Sequence, residues 1–479
     1  MVKIELNNFK CKLVAERKLL LKLRNRFAIR NPNAFFIRRR GNVDSSWDGK
    51  IHYITDAFYF KTGLLTQVVE VLEKEFKEKV KIIDKRVDFN VKPKFVSKIG
   101  KLESRDTQEG AIKAIINNKV KGIDLPIGVL NCATNTGKTA IMVGLYLAYK
   151  KKIPTLVLLK DGELFEQFLR EMPELIGDDF GYVRGKNIHW NKFTIAMVQT
   201  VSRNINIYKR DLAKYGMVLV DEADEGESAQ YRTILQNCYN SVVRVGLSGS
   251  IFMKNLAKDK PKNQNLHQFF GEELYKVTKR ENIDKGYSTE LTINMCEGNI
   301  DRGLYIGNNY KEAYDKIIVY NDEFREKALR RIKINLLLNR KPMIVLCQFH
   351  HHVELMHKAI TNRFKGTNLN IIACHHKTKG KTNILNNFRE GKYDILVTTY
   401  IVKRGKNFPL LRYICNVAGG DSIATVSQIM GRLERKDDSK DMGYLDDFYH
   451  LGKYVERHSK HRLIQMKKEE MILKERFKI

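Results

Sequence analysis

The sequence predicts an α/β protein in which two parallel-sheet domains follow a small α+β domain. From about residue 100 onward, short apolar segments alternate with helical segments, a pattern typical of parallel sheets. A polar stretch over residues 254–265 separates these segments into two series, and the first 95 residues show a mixed pattern with denser positive charge. We therefore expect domains at residues 1–95, 96–265 and 266–479.

The N-terminal domain carries 22 basic and 11 acidic residues, a net charge of +11, and ends in a linker at Pro93 and Lys94. Its apolar patterns predict, in order, a strand over 2–6, a helix over 13–23, a strand over 34–37, strands over 51–54 and 57–60, and a helix over 64–78.

A hairpin turn is predicted at Trp47-Asp48-Gly49-Lys50, because an Asp-Gly pair favours tight turns. We expect Trp47 to be half-buried and to anchor this hairpin. The strand over 34–37 leads into three arginines, so the hairpin would place cations where they can contact phosphates. The candidate nucleic-acid-binding residues of this domain are Arg38, Arg39, Arg40, Trp47 and Lys50.

The two later domains are predicted from their apolar runs. The first series predicts strands over 128–131, 155–159, 194–198, 217–220 and 243–247, and the second predicts strands over 343–347, 370–373, 395–398 and 413–417. The tail over 449–479, with nine basic and four acidic residues, is predicted to be a helix that is solvated or packs on the domain. We expect His450, His458 and His461 to be polar surface or structural groups.

Composition narrows the possible functions. The 479 residues include 86 Lys and Arg against 55 Asp and Glu, so the formal net charge is +31. This excess is more than solubility requires and indicates a polyanionic partner, most simply nucleic acid. An apolar content of 43% excludes a disordered chain. No apolar run approaches the length of a membrane span and no signal peptide is evident, so we expect a cytoplasmic protein, in the host cytoplasm if the chain is viral.

The seven cysteines are scattered and contain no CxxC pair, which favours a reducing compartment over a disulfide framework. One group could be assembled into a zinc site: Cys347, His350, His351, His352, Cys374, His375 and His376. We favour a structural interpretation, because residues 343–347 form a predicted buried strand whose cysteine would lie in the core.

A phosphate-binding loop is predicted where the strand over 128–131 meets an apolar helix. The loop reads Cys132-Ala133-Thr134-Asn135-Thr136-Gly137-Lys138-Thr139. In such a loop the backbone amides bind phosphate oxygens, Lys138 reaches the β- and γ-phosphates, and the Thr139 hydroxyl ligates magnesium. The candidate nucleotide-binding residues are Thr134, Asn135, Thr136, Gly137, Lys138 and Thr139. Cys132 and Asn135 depart from the usual pattern, in which small residues or glycine are common at these positions.

An acidic motif, Asp221-Glu222-Ala223-Asp224, directly follows the strand over 217–220. In a nucleoside triphosphatase Asp221 would hold magnesium, largely through water, and Glu222 would orient and deprotonate the attacking water. The alternative, a charged loop after a strand, is less favoured because a phosphate loop precedes the motif at a suitable distance.

A third motif, Gln428-Ile429-Met430-Gly431-Arg432-Leu433-Glu434-Arg435, places Arg432 and Arg435 three residues apart, on one face of a helical turn. Both could stabilise the charge that develops on a γ-phosphate. An ordinary basic helix would give the same spacing, but the order of the three motifs argues against it. The candidate catalytic residues are Lys138, Asp221, Glu222, Gln428, Arg432 and Arg435.

Over residues 100–465 this ordered set of motifs resembles that of superfamily 2 helicases. The resemblance implies two RecA-like motor domains with ATP and Mg²⁺ bound between them, Gln108 as the adenine-reading residue, residues 246–250 as the motif that links hydrolysis to strand movement, and Gly405 as a nucleotide contact. It also implies nucleic-acid contacts at Lys160, Gln199, Thr200, Thr398 and Arg404, although Lys160-Asp161 replaces the usual Pro-Thr.

Within that superfamily, the Trp47-Asp48-Gly49-Lys50 signature and the basic N-terminal domain resemble the phage UvsW-type recombination and branch-migration helicases. This resemblance implies branched DNA as the substrate. Two alternatives stay open. The letters of residues 221–224 match DEAD-box RNA helicases, although those usually carry His-Arg where this chain has Gln428-Ile429. The departures in the phosphate loop would also suit a nucleic-acid-binding protein with a weak ATPase.

Overall fold

The computed structural model describes residues 1–39, 46–87, 89–225, 228–249, 260–403, 408–421, 430–435, 440–468 and 472–476. The candidate residues Arg40, Arg404, Gly405 and Gln428 lie outside these ranges. The chain divides into two compact units, Met1–Val277 and Thr278–Ile479. None of the described helices is both long enough and apolar enough to cross a membrane.

The N-terminal domain consists of short strands and helices around a four-stranded sheet with the order β5-β2-β1-β6. A helical segment continues from Thr62–Leu64 through α3 to Val71–Glu75, which confirms the predicted helix near 64–78. The elements are β1 (Val2–Leu6), β2 (Lys10–Val14), α1 (Arg17–Arg26), β3 (Ala28–Arg30), α2 (Ala34–Arg39), β4 (Lys50–His52), β5 (Tyr59–Lys61), α3 (Leu65–Glu70) and β6 (Val80–Asp84).

Three predictions for this domain need correction. Residues 34–37 form the start of helix α2, not a strand, because Asn31 turns the chain into a helix: its side chain accepts from the Asn33 amide at 2.9 Å and its carbonyl from the Ala34 amide at 3.0 Å. The predicted tight hairpin at the Asp-Gly pair is also wrong, because β4 pairs antiparallel with β3 and residues 31–49 lie between the two strands. The helix predicted over 13–23 begins later, at Arg17, because Cys11 and Leu13 are buried on strand β2.

The N-terminal domain shares a hydrophobic core with the first α/β domain. Val120, Leu125 and Ile127 pack in the same cluster as the inner face of the N-terminal sheet. Arg244, which is fully buried, donates to the carbonyl of Asn8 at 2.6 Å. These contacts make residues 1–277 one unit.

The first α/β domain is built on a sheet with the order β14-β13-β15-β12-β16-β17-β11-β18, parallel except for β13 with β14. The five predicted strands are confirmed to within one residue. The elements after β6 are β7 (Lys98–Ile99), β8 (Leu102–Glu103), α4 (Asp106–Ile116), β9 (Lys119–Val120), β10 (Ile123–Asp124), β11 (Ile127–Cys132), α5 (Lys138–Ala148), β12 (Thr155–Leu159), α6 (Gly162–Ile176), β13 (Gly181–Arg184), β14 (Asn187–His189), β15 (Phe193–Met197), α7 (Val198–Arg203), α8 (Ile205–Leu212), β16 (Met217–Asp221), α9 (Ala229–Asn237), β17 (Val243–Ser248), α10 (Lys260–Phe270) and β18 (Glu273–Val277). Because β18 pairs with β11, this sheet extends past the predicted domain limit at residue 265.

The second unit is built on a sheet with the order β21-β22-β20-β23-β24-β19-β25, and every pairing of the described strands is parallel. The four predicted strands are again confirmed to within one residue. The elements are α11 (Lys279–Asp284), β19 (Glu290–Glu297), α12 (Tyr310–Tyr314), α13 (Asp322–Leu337), β20 (Met343–Leu346), α14 (His350–Arg363), β21 (Ile371–Cys374), α15 (Lys381–Arg389), β22 (Ile395–Thr398), β23 (Tyr413–Asn416), β24 (Met442–Tyr449), α16 (Val455–Lys468) and β25 (Ile472–Arg476).

The tail departs from the single helix that was predicted. Helix α16 covers only its middle, and residues 472–476 form a strand that pairs with β19 at the sheet edge. His450 is a structural group: it is fully buried, its Nδ1 accepts from the Asn299 amide at 3.1 Å, and burial holds its pKa well below the ordinary value. His458 is also buried, and burial lowers its pKa.

A buried ion pair fastens helix α16 to the second sheet. Arg462 is 1% exposed and donates to Asp447, which is fully buried on β24, and to the carbonyls of Gly420 and Phe448. Replacing Arg462 with methionine would leave a buried carboxylate without its cation, so we expect a loss of about 3–5 kcal/mol in the free energy of unfolding of this unit. Chemical denaturation tests this, with Arg457→Met, on an exposed position of the same helix, as the control. A loss of less than about 1 kcal/mol would contradict the expectation.

Candidate functional site

The predicted phosphate loop joins β11 to α5, and its two unusual residues have structural explanations. Cys132 is fully buried where β11 ends. Asn135 has a φ of +67°, a left-handed conformation that asparagine tolerates better than most residues. Gly137 has a φ of +82°, and a Cβ there would lie 2.3 Å from Nε2 of Gln108, so glycine is required.

Two residues of the preceding segment support the loop backbone. Gln108, at the start of α4, donates through Nε2 to the Thr136 carbonyl at 2.9 Å, and its Oε1 accepts from the Arg105 amide at 3.0 Å. Arg105 Nη1 donates to the Asn135 carbonyl at 2.8 Å. The sequence motif indicated Gln108 but not Arg105, whose contact spans 30 residues. Because both ends of the Gln108 amide bind protein atoms here, adenine recognition by Gln108 stays a prediction.

The acidic motif lies beside the loop. Asp221, at the end of β16, is 5% exposed, and its Oδ1 is 3.6 Å from Nζ of Lys138. Burial alone would lower the pKa of Lys138, but the negative charges of Asp221 and Glu222 outweigh it and raise the pKa. Lys138 is therefore a cation at neutral pH. The first and second sequence motifs come together as predicted.

Glu222 follows Asp221 with a φ of +51°, which is strained for a residue with a side chain. Such strain is concentrated at functional sites, where the surrounding structure holds it. A helical turn over Ala223–Glu225 comes next, and Asp224 accepts from the Ser248 hydroxyl at 2.7 Å. This bond ties the acidic motif to the end of the neighbouring strand β17.

The residues present fit a magnesium nucleotide. Oδ1 of Asp221 is buried without a hydrogen-bond partner in the described part of the chain, although a cation is close to it. Thr139 is half-exposed in the first turn of α5, and Thr134 is half-exposed in the loop. The Asp221 carboxylate and the Thr139 hydroxyl offer the oxygen ligands that magnesium prefers. Lys138 and the amides at the N-terminus of α5 offer the positive charge and hydrogen-bond donors that phosphates prefer.

Three predicted nucleic-acid contacts lie at the carboxyl ends of neighbouring strands β12 and β15. Gln199 donates through Nε2 to the Lys160 carbonyl at 2.9 Å, which fixes the two residues side by side. The Thr200 hydroxyl accepts from the Gly185 amide at 2.9 Å. Asp161, which stands where a threonine is usual, caps α6 by accepting from two backbone amides at 2.9 Å.

The N-terminal candidates surround the turn at residues 47–50. Trp47 is half-buried as predicted, and its indole donates to the Lys50 carbonyl at 3.0 Å, which ties the turn to the start of β4. Arg38 donates to the Trp47 carbonyl at 2.8 Å. Arg38, Arg39 and Lys50 are exposed.

The candidates of the second unit are less accessible. Thr398 is fully buried at the end of β22, and its hydroxyl donates to the Thr399 carbonyl at 3.3 Å, so its contact with nucleic acid stays a prediction. Arg432 is 9% exposed in a helical turn over 430–433. Burial lowers the pKa of Arg435, and the charge of Arg389 adds to this effect.

The arginine motif is held by buried residues that the sequence did not indicate. Glu434, between the two arginines, is 3.1 Å from Nζ of Lys279, and both side chains are buried. Lys440, also buried, donates to the carbonyl of Leu433 at 2.6 Å. These contacts fix the backbone on which Arg432 lies.

Of the histidine and cysteine cluster, the rings of His350, His375 and His376 lie close together, with centroids 5.9–6.1 Å apart. Cys347 and Cys374 are fully buried, as the structural interpretation predicts. Among the residues that the structure describes, no three His, Cys, Asp or Glu side chains are placed to hold a metal ion.

Two segments of the chain match known protein families, and one curated protein is related in sequence. Residues 101–253 match the family described as "Type III restriction enzyme, res subunit", and residues 326–437 match the "Helicase conserved C-terminal domain". The chain is 23% identical over 359 residues to IRC3 of Saccharomyces cerevisiae, whose name assigns it to the ATP-dependent helicases. The match covers 72% of this chain and 51% of IRC3, so the chain spans about half the length of that curated relative.

Solved structures share its fold. A fragment named for the HsdR subunit of a type I restriction enzyme from Vibrio vulnificus matches 79% of this chain and 68% of its own, at 16% identity and a TM-score of 0.56. Dbp5 of S. cerevisiae, bound to RNA and ADP BeF3, matches 78% of this chain and 90% of its own, at 16% identity and a TM-score of 0.52. UvsW of bacteriophage T4 matches 99% of both chains at 18% identity and a TM-score of 0.46. The predicted fold of two RecA-like domains is confirmed.

Proposed function

Because this chain belongs to the superfamily 2 helicases, we propose that it is an ATP- and Mg²⁺-dependent DNA translocase that acts on branched DNA such as forks and four-way junctions. Such an activity would serve recombination, repair or replication. The observation that carries the proposal is the assembled site at the ends of β11 and β16, where Lys138 lies 3.6 Å from Asp221 and Glu222 follows in a strained conformation.

Each side chain of this site has a distinct task in hydrolysis. Lys138, a cation at neutral pH, binds the β- and γ-phosphates, while the amides of the loop bind phosphate oxygens. Glu222 orients the attacking water and accepts its proton. Thr139 and Asp221 are the side chains that would hold Mg²⁺, which supplies positive charge beside the phosphate oxygens when it is bound. Arg432 and Arg435 are proposed to stabilise the charge that develops on the γ-phosphate.

The conformation of the phosphate loop over residues 132–139 argues against a degenerate ATPase. Asn135 adopts the left-handed conformation that a glycine would supply, and the loop backbone is held by Gln108 and Arg105. The departures that motivated the alternative of a weak ATPase are therefore compatible with phosphate binding.

DNA is favoured as the substrate by the N-terminal domain. Its net charge of +11 and the exposed cations Arg38, Arg39 and Lys50 suit contacts with phosphates, and its signature at residues 47–50 resembles that of branch-migration helicases. Lys160, Gln199 and Thr200 are proposed to contact the strand that is translocated. The RNA helicase alternative is supported by the DEAD letters at residues 221–224 and opposed by Gln428-Ile429.

The test compares steady-state ATP hydrolysis with single-stranded DNA, duplex DNA, a fork, a four-way junction and RNA at one salt concentration. We expect the fork and the junction to stimulate hydrolysis most and RNA least. Greater stimulation by RNA would favour the RNA helicase. Negligible hydrolysis with every nucleic acid would indicate a binding protein with a weak ATPase.

A further inference from the structure

Helix α2 of the N-terminal domain displays two adjacent aromatic side chains to solvent. Phe35 is 68% exposed and Phe36 is 60% exposed, and none of the residues of this helix is buried. The two rings contact each other edge to face, with centroids 5.6 Å apart. Isolated exposed apolar residues are common, but a pair of neighbouring phenylalanines forms a patch that favours a binding partner.

The patch is held in place by the turn over residues 47–50. The Asn31 amide donates to the Gly49 carbonyl at 2.9 Å just before the helix, and Arg38 donates to the Trp47 carbonyl at 2.8 Å near its end. Ala34 packs against Gly49, since a Cβ on that glycine would lie 3.6 Å from the Ala34 Cβ. The helix is thus fastened at both ends, and its two phenylalanines are presented on a fixed support.

The charge around the patch is positive. Arg38 and Arg39 follow the phenylalanines directly, Arg30 and Lys50 are exposed on the paired strands β3 and β4, and residues 28–39 contain no acidic side chain. The nearby Asp48 is engaged by His52 at 2.8 Å and by the Lys50 amide at 2.9 Å. Aromatic rings can stack on flat bases, and the surrounding cations can bind phosphates. The patch therefore suits nucleic acid, which offers both.

We propose that Phe35 and Phe36 form a base-stacking site for the unpaired nucleotides at the point where a duplex opens, and that Arg38 and Arg39 bind the flanking phosphates. This inference rests on the proposed function and specifies which part of the DNA the N-terminal domain binds. In continuous duplex both faces of every base are covered by neighbouring bases, so an aromatic ring can stack only on an unpaired or terminal base. The site therefore distinguishes a branch point from uninterrupted duplex, whereas the arginines bind both.

The proposal is tested first by measuring how tightly the 479-residue chain binds DNA in the absence of ATP. The double variant Phe35→Ala, Phe36→Ala should weaken binding to a fork with unpaired arms by about 5- to 150-fold, the range for the loss of one stacked base. It should change binding to a closed circular duplex, which has neither unpaired nor terminal bases, less than about twofold. A variant with Phe35→Tyr and Phe36→Tyr should restore fork binding, because the ring is kept. Tyr239→Ala removes an aromatic side chain that is 54% exposed and has no charged neighbour in sequence, and serves as the matched control.

Photocrosslinking locates the contact. A fork carrying 5-iododeoxyuridine at the first unpaired nucleotide should crosslink to Phe35 or Phe36, and the same base placed inside the duplex should not. Equal loss of fork and duplex binding in the alanine variant, or a crosslink that maps elsewhere, would overturn the stacking site. So would unchanged fork binding together with a loss of self-association, which would mark the patch as a protein interface.

These results are separable from the proposed function. If forks stimulate ATP hydrolysis in the wild-type protein but the phenylalanine variants bind forks normally, the stacking proposal alone fails. If forks do not stimulate hydrolysis by the wild-type protein, the proposed translocase fails, whatever the variants do.

Discussion

Replacing Lys138 with alanine is expected to abolish DNA-stimulated ATP hydrolysis. The substitution removes the ammonium group beside Asp221, and with it the positive charge proposed to bind the β- and γ-phosphates. Loss of one preorganised donor to a developing negative charge commonly lowers kcat by about 10²- to 10³-fold. The measurement is steady-state hydrolysis at saturating ATP and DNA.

DNA affinity should change no more than a few-fold in the same variant, because the proposed DNA contacts Lys160 and Gln199 lie at the ends of other strands. Lys152→Ala, an exposed lysine that follows helix α5, is the matched control and should hydrolyse ATP like the wild type. Retained turnover in Lys138→Ala would show that residues 132–139 are not the phosphate loop. A parallel loss of DNA binding would point instead to misfolding.

The strands that were predicted from sequence share one physical feature. In the two α/β domains most of each predicted strand is an apolar run, which is how a parallel strand buried on both faces appears in a sequence. Strand β24 escaped prediction because Asp446 and Asp447 interrupt its apolar pattern. Both carboxylates are fully buried, and their partners Arg331 and Arg462 lie on helices, the first 115 residues from Asp446 and the second 15 residues from Asp447. A sequence pattern does not reveal that such partners exist.

The N-terminal domain shows a different reason for error. Residues 34–37 read Ala-Phe-Phe-Ile, and a short apolar run does not distinguish a strand from a helix. The deciding feature is the Asn31 turn, which starts the helix and leaves both phenylalanines in solvent. The assumption that apolar residues are buried concealed the patch that we now propose as a binding site.

The residues of the candidate site that belong to sequence motifs could be predicted from the sequence. Lys138 and Asp221 are 83 positions apart in the sequence, yet they meet because β11 and β16 end at the same edge of one sheet. The supporting residues were not predictable. Arg105 supports the loop through a backbone carbonyl, and Lys279 supports the arginine motif through a buried pair with Glu434. Neither role requires a particular sequence motif, so neither residue can be recognised from the sequence.

Arg432→Ala is expected to lower kcat for ATP hydrolysis by about 10³-fold or more while the KM for ATP changes little, because an arginine finger stabilises charge that appears only in the transition state. Arg432→Lys should recover only part of the rate, since a lysine keeps the charge but not the planar pair of donors.

Glu434→Gln separates this chemical role from a structural one. It disturbs the buried pair with Lys279 that supports the same turn, but it leaves the guanidinium of Arg432 in the chain. We therefore expect a much smaller loss of kcat from Glu434→Gln than from Arg432→Ala, even if both variants lose similar stability. If Arg432→Ala instead raises the KM for ATP at an unchanged kcat, then Arg432 binds the ground state of the nucleotide. If the two variants lose kcat equally, the turn has only a structural role in hydrolysis, and the guanidinium of Arg432 does not take part in the reaction.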